Sequence, residues 1–447
     1  MKTALTIEYL AEEIGVSTAT VRNWIKTGFL IQCANGHISQ ESFDDFMKNV
    51  AGKEKLTSRA NKSLKDKHDS EKLKSKLNSL FNSHSGESLG SAYENLLSNA
   101  YRNQEGIYYT PSWIVSDMLK DVEIQPNSTF LDPCCGSGNF IIKALKLGIK
   151  PENIYGFDTD ENAILITTNR VKKEFGIELP QLKQGDFLME SHKLKQNKLS
   201  FDLIFTNPPW GNKKISTEKK KKSTIYNSGN SLDTTSLFLA ASLHILKQGG
   251  ILGFLMQEAF FNIGTFEDIR SRVLRKEILH LIDYGKAFKG LITGAQAIVL
   301  KNQKPTPTFK IRCSYQYKKY ERSLKSFENN PKKILNFWAN EQDAKVIEKL
   351  FSHKHITLDG RAKWALGIVT GNNQKFCKSE PTKGYLPIYK GSDITKNGLK
   401  ETTTFITKEF TKLQQCAPLE MYQAKEKLIY KFISSKLCFY YDNQQKL

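Results

Sequence analysis

The stretch "FLDPCCGSGNF", Phe130–Phe140, decides the fold. An apolar run closes on Asp132, as a strand closes. Gly136 and Gly138 then supply a tight turn, and "FIIKALKLG" continues with apolar residues at helical spacing. Such a corner points a helix N-terminus at the end of a strand, where a carboxylate is favoured. The pattern is G-x-G without the third glycine of a dinucleotide fingerprint, so a pyrophosphate is poorly supported. By itself the stretch is equally an ordinary strand-to-helix corner.

Outward from it, strand-like and helical runs alternate. "NIYGFD" precedes "ENAILITTNRVKKEFG", the short "QLKQ" precedes "FDLIFT", and "SLFLAASLHILKQGG" leads into "ILGFLM". This alternation predicts an α/β fold with a parallel, doubly wound sheet. Ligands on such sheets lie at the carboxyl ends of the strands. Asp158 ends the strand after Asp132, about 20 residues past the glycine turn, a separation that suits the two hydroxyls of a ribose. Asp160 instead fits a helix N-terminal acid. Asp186 follows Gly185 after "QLKQ", where it can accept from an exocyclic amine, with Phe187 facing an aromatic ring. Gly-Asp is also a common turn.

A further strand end carries "TNPPWG", Thr206–Gly211. The Asn207 amide oxygen is an acceptor. The Pro208 carbonyl is a second one, aimed rigidly because proline fixes φ, and Pro209 stiffens the same turn. Two acceptors placed together grip an NH2 group, draw its lone pair out of conjugation and aim it at an electrophile. Trp210 offers a flat face for a base, worth roughly 1–3 kcal/mol. A proline loop ending a strand is the plainer alternative, and the three companion motifs in order weigh against it.

The bulk properties agree. The chain has 447 residues and a net charge of +20, which points to several domains and a polyanionic partner, nucleic acid ahead of a membrane surface. No apolar run approaches the ~18 residues of a membrane span, and the N-terminus lacks the apolar core of a signal peptide. Seven cysteines without C-x-x-C argue against a disulfide framework or a zinc site, and a reducing cytoplasm fits.

In residues 5–30, Leu10, Ile14, Val21 and Ile25 sit at helical spacings, Gly15 breaks the first helix and Ser17 can cap the second. This predicts a helix–turn–helix whose second helix, residues 17–27, offers Thr18, Thr20, Arg22, Asn23 and Lys26 to phosphates and base edges. Another short helix follows in "GHISQESFDDFMKN". Residues 51–80 hold nine Lys/Arg against four acids and read as a solvated linker or exposed helix. "LGSAYENLLSNAYR" is an amphipathic helix.

Together "GIYYTP" (106–111), "DPCCGSGNF" (132–140), "GFDTD" (156–160), "GDFL" (185–188) and "NPPW" (207–210) resemble the gamma-type N6-adenine DNA methyltransferases of restriction–modification systems, in the order of that family. The resemblance covers residues 86–447 and implies a Rossmann-like domain using S-adenosylmethionine. It implies that Tyr108, Thr110 and Pro111 border the methionine end of the donor. Asp132, Cys134, Gly136 and Gly138 line the donor, Asp158 holds the ribose, and Asp186 and Phe187 meet the adenine. Asn207, Pro208, Pro209 and Trp210 receive an adenine flipped from double-stranded DNA. Phe288 matches the aromatic of a later motif. Gln257 departs from a proline common in the family. No metal is implied, and no nuclease constellation is visible.

The N-terminal segment resembles the small all-α, winged helix–turn–helix of MerR-like and excisionase-like proteins, many of which bind proteins instead of DNA. "NKKISTEKKKKS" (212–223), with Lys213, Lys214, Lys219 and Lys220, reads as a basic loop that follows phosphates. The domains expected are a winged helix–turn–helix over 1–50, a basic linker over 51–85, a catalytic domain over 86–350 and part of a target-recognition domain over 360–447. "LIYKFISSKLCFYYDNQQKL" reads as strands with "YYDNQ" as a turn, and a second polypeptide is expected to supply the rest of the recognition surface. Two other readings remain. One is a methyltransferase for RNA guanine N2 or protein glutamine, and the other is a catalytically silent DNA-binding regulator.

Overall fold

Among the described residues, nine strands form the central sheet, in the order β11-β10-β8-β9-β7-β6-β3-β4-β5. They are β3 (Phe130–Asp132), β4 (Ile154–Asp158), β5 (Gln181–Gln184), β6 (Phe201–Thr206), β7 (Leu246–Gln257), β8 (Glu277–Gly285), β9 (Ala295–Lys301), β10 (Lys310–Tyr315) and β11 (Lys318–Ser323). The computed structural model describes residues 4–14, 16–26, 29–33, 36–49, 77, 79–96, 108–211, 226, 228–229, 231, 233–288, 293–358, 360–395, 397–431, 434 and 436–445. The basic linker 51–76 and the lysine-rich stretch 212–225 lie outside the described residues.

Strands β3 to β7 run parallel, as the alternation predicts. The sheet is nevertheless mixed. Strand β9 is antiparallel to both β7 and β8, and β10 and β11 form an antiparallel hairpin. An apolar run such as "AQAIVL" shows that a strand is buried and says nothing of its direction. The chain moves outward from β3 through β4 to β5, then returns to place β6 on the other side of β3. Strand order reverses there, and a crevice opens above the carboxyl ends of β3 and β6.

Both faces of the sheet are covered. Ile204 packs into one apolar layer with Phe254 and Leu239, whereas Leu203 and Phe205 pack into the other with Ile141 and Val115. That alternation is what a strand buried on both sides requires. The helix Thr234–Ile245 is apolar nearly all round and almost wholly buried.

The N-terminal segment has its own core, in which Leu10, Ile14, Val21, Trp24 and Phe46 are buried together. Its helices are Ile7–Ile14, Thr18–Lys26 and Gln40–Asn49. Ser17 accepts at Oγ from the Thr20 backbone N–H at 3.0 Å, as a cap should. The segment is not all-helical: β1 (Ala4–Leu5) pairs antiparallel with β2 (Ile38–Ser39).

The chain divides into two compact units, residues 1–353 and 354–447. The second is built of short strands. β16 (Thr404–Thr407) lies between β12 (Cys377–Lys378) and β13 (Tyr385–Ile388), β14 (Ile394–Thr395) pairs with β15 (Gly398–Leu399), and β17 (Lys427–Tyr430) pairs with β18 (Phe439–Asp442). The expected turn at "YYDNQ" is corrected here. Tyr440, Tyr441 and Asp442 are strand residues, because Asp442 is buried and ion-paired with Lys427 at 2.6 Å.

Candidate active site

The turn after β3 is built from neighbours distant in sequence. Gly136 (φ +51°) and Gly138 (φ +83°) hold left-handed conformations that favour glycine. A Cβ on Gly138 would come within 2.6 Å of Thr167, and one on Gly136 within 2.9 Å of the Tyr109 ring. Gly136 donates its N–H to Asp158 Oδ2 at 2.9 Å, and its carbonyl accepts from Thr167 Oγ1 at 2.9 Å. The buried Arg170 guanidinium donates to the Ser137 carbonyl and to Asn139 Oδ1. The turn is therefore held in one conformation by its protein neighbours.

Asp158 and Asp160 divide their work. Asp158 Oδ1 accepts from the Asp160 N–H at 2.9 Å while Oδ2 holds Gly136. Asp160 caps the helix Glu161–Phe175 through Asn162 N–H and accepts from the Tyr93 hydroxyl at 2.8 Å. Asp186 likewise caps the helix Phe187–Gln196. The Phe187 ring is fully buried against Phe157 and Phe238.

Asp132 is completely buried. Its Oδ1 accepts from Thr206 Oγ1 at 2.7 Å and from the Cys134 N–H at 3.1 Å, and its Oδ2 has no partner. Burial pushes this carboxyl up to about 7, against the pull of those two donors.

Beyond Thr206, Asn207 donates from Nδ2 to the Tyr108 carbonyl at 2.9 Å. A carbonyl can only accept, so this bond fixes which way the amide points. Its Oδ1 is buried and has no donor among the described residues. Trp210 is half-buried, its Nε1 is also without a partner, and its ring stands edge-on to Phe288 at 5.4 Å. Phe288 in turn meets Tyr108 edge-on at 6.0 Å. Tyr108, Phe288 and Trp210, from three separate segments, thus form a run of edge-on aromatic contacts, and the Tyr108 carbonyl holds the Asn207 amide. The Gln257 side chain ends β7 and reaches Asp233 Oδ2 at 3.4 Å.

Tyr108, Thr110, Cys134, Gly136 and Asn207 line a single cleft. The helix Gly86–Leu96 closes it from behind, a contribution that the sequence analysis missed. Gly90 packs on Ser137, Glu94 accepts from the Tyr109 N–H at 3.3 Å, and Glu87 accepts from both the Ser112 N–H and hydroxyl. Pro111 occupies the cap position of the helix Ser112–Leu119, and Glu87 does the capping. Only the amphipathic pattern of "LGSAYENLL" hinted at this helix, and nothing in it marks Glu87, Tyr93 or Glu94 as site residues.

The candidate DNA contacts lie apart from this cleft in sequence. Thr18 and Thr20 are half-buried, and the exposed Arg22 pairs with Glu8 at 3.6 Å. The Asn23 and Lys26 side chains, and Lys213, Lys214, Lys219 and Lys220, lie outside the described residues.

The glycine turn after β3, the β4-end acid bonded to it and the Asn207 amide after β6 thus lie at the carboxyl ends of adjacent parallel strands. Residues 84–360 match the family model described as N-6 DNA Methylase, and the chain belongs to that family. Residues 386–447 match the TaqI-like C-terminal specificity domain. Among individual proteins, the chain is 45% identical over 398 residues to the Type II methyltransferase M.VspI of Vibrio sp. (strain 343), covering 88% of this chain and 97% of that protein. It is 30% identical over 183 residues to the Type II methyltransferase M.BanIII of Aneurinibacillus aneurinilyticus, covering 37% of this chain and 31% of that protein. Among solved structures, the DrdV–DNA complex superimposes with a TM-score of 0.49 at 15% identity, over 84% of this chain and 44% of that one.

Proposed function

We propose that this chain transfers a methyl group from S-adenosylmethionine to N6 of an adenine flipped out of duplex DNA, as the modification component of a restriction–modification system. The observation that carries the reading is the buried, donor-free Asn207 Oδ1, held in place by the other end of its own amide. The Type II methyltransferase M.VspI supports it as a relative over nearly its whole length.

The residues of the cleft fit the donor. The Gly136–Gly138 turn offers its backbone to the donor, and Asp158, which bonds the Gly136 N–H, grips the ribose diol. When bound, the donor supplies an electrophilic methyl group. The protein supplies the rest. Asn207 Oδ1 and the Pro208 carbonyl accept the two hydrogens of the target amine and turn its lone pair out of the ring plane. Trp210 stacks on the base, braced edge-on by Phe288. Tyr108, Thr110 and Pro111 border the methionine end, with Asp132 and Cys134 beneath it. Asp186 accepts from the adenine amine, and Phe187 backs that pocket from the core.

The reading extends to the flanking parts. Residues 1–50 act as a helix–turn–helix module with Thr18, Thr20, Arg22, Asn23 and Lys26 as its contact residues. They hold four Lys/Arg against six Asp/Glu, a sign opposite to that of the whole chain, which favours a protein partner over DNA. Residues 386–447 contribute to reading the target sequence, and a second polypeptide completes that surface.

The test offers labelled S-adenosylmethionine with duplex DNA, RNA and a protein acceptor in parallel. Label in DNA, recovered as N6-methyladenine, is the expected result. Label confined to RNA or protein overturns the reading.

A further inference from the structure

Thr206 ends β6 directly before Asn207, and it is completely buried. Leu203, Ile204 and Phe205 before it are buried and apolar. A valine would fill the same place with the same preference for a strand. Packing therefore does not call for the hydroxyl, and a buried hydroxyl is costly unless it is bonded. Its bond is to the equally buried Asp132: Thr206 Oγ1 donates to Asp132 Oδ1 at 2.7 Å.

The place of that bond suggests its purpose. The paired residues of β3 and β6 are Phe130 with Leu203 and Leu131 with Ile204. Past that last pair, the Asp132–Thr206 bond joins the two strand ends. The same Asp132 oxygen accepts from the Cys134 N–H at 3.1 Å, where the glycine turn begins. One buried carboxyl oxygen thus ties the turn after β3 to the residue that carries Asn207 into the cleft. On its other side Thr206 is paired with Phe254 of β7, so the strand itself does not depend on the hydroxyl. The Tyr108 carbonyl sets which way the Asn207 amide points. The Thr206 bond fixes the backbone from which that amide extends, relative to the glycine turn.

We propose that Thr206 is a positioning residue for methyl transfer, holding the backbone of the Asn207 clamp in place against the donor turn through Asp132. The assignment rests on the methyltransferase reading of the cleft. Transfer needs the amine and the methyl group in line and in contact, and a misplacement of about 1 Å can cost on the order of 100-fold in rate. Binding of the donor alone is less demanding, because it does not require the clamp to be in register.

The experiment compares the full chain as wild type, Thr206→Val and Thr206→Ser. Single-turnover methylation of duplex DNA is measured beside the calorimetric affinity for S-adenosylhomocysteine. The expected result is a rate lower by roughly 10- to 100-fold in Thr206→Val with affinity unchanged, and a rate restored in Thr206→Ser, which keeps the hydroxyl. A Thr206→Val rate equal to that of wild type overturns the assignment, as does a serine variant as slow as the valine one. A rate and an affinity lost together also overturn it, because the hydroxyl would then hold the site folded instead of positioning the clamp. If the wild type methylates no DNA, the functional reading falls and the assignment with it. A wild type that methylates beside an equally fast valine variant removes the assignment alone.

Discussion

Asn207 donates its amide N–H to the backbone carbonyl of Tyr108 at 2.9 Å, across 99 residues of chain. One residue of the opening "YYTP" segment therefore orients the amide of "NPPW". The bond engages the NH2 end of the amide and turns Oδ1 the other way, where it has no donor among the described residues. A preorganised acceptor needs no rearrangement when the substrate arrives, which is why it is effective in catalysis.

Gly138→Ala should abolish donor binding. The residue has φ +83°, and the new Cβ would lie 2.6 Å from Thr167 Cγ2, so the turn must move. Calorimetry with S-adenosylhomocysteine should show no measurable heat, while circular dichroism shows a folded chain. Wild-type affinity in this variant would mean that the turn does not contact the donor.

Asp158→Ala should weaken donor binding by about 1.5–3 kcal/mol, the size of a hydrogen bond to a charged group. Asp158 also holds Gly136 and Asp160, so Asp158→Asn, which retains an acceptor oxygen, should lose less. Affinities in the order wild type, Asn, Ala are the expected outcome. Indistinguishable affinities would remove Asp158 from the donor site.

Asp132 predicts a pH effect. Its folded carboxyl is pushed up to about 7 by burial. From the ordinary carboxylate value near pH ~4 up to that point, the folded state binds a proton that the unfolded state does not. The contribution of Asp132 is thus fully present below pH ~4, declines as pH rises through the window and is lost above about 7. Asp132→Asn cannot titrate and still offers an oxygen to Thr206. Wild-type stability should therefore fall relative to the variant by on the order of 2–4 kcal/mol between pH ~4.5 and ~7.5, followed by denaturant unfolding. A difference that does not change with pH would show that Asp132 titrates normally.

The strand ends at Asp132, Asp158 and Thr206 and the glycine turn were legible because each is a local pattern with a direct physical cause. The partners were not. Thr167, Arg170 and Tyr93 sit within amphipathic helices, where nothing distinguishes a residue that braces the site from one facing solvent. Nothing in the sequence around Arg270 and Arg322 marks them as interior residues. Yet both are fully buried and donate to carbonyls, Arg270 to those of Phe260, Ile263, Lys332 and Lys333. Strand direction beyond β7 was also hidden, since a strand buried on both faces carries the same apolar run either way.

The isolated chain should methylate DNA slowly and with weak site preference until a second polypeptide is added. The exposed face of the β17–β18 pair motivates this: Leu428 lies opposite Tyr441 and Tyr430 opposite Phe439, and all four are at least 40% exposed. Methylation of plasmid DNA, mapped by sequencing, checks it. Efficient methylation at one sequence by the purified chain alone would contradict it.

If Asn207 Oδ1 receives the target amine, the single-turnover methylation rate on duplex DNA must depend on it, and Asn207→Ala removes that oxygen from the site. The expected rate is lower by about 100- to 1000-fold, the loss of one transition-state hydrogen bond, with S-adenosylhomocysteine affinity unchanged. A rate near that of wild type would contradict it.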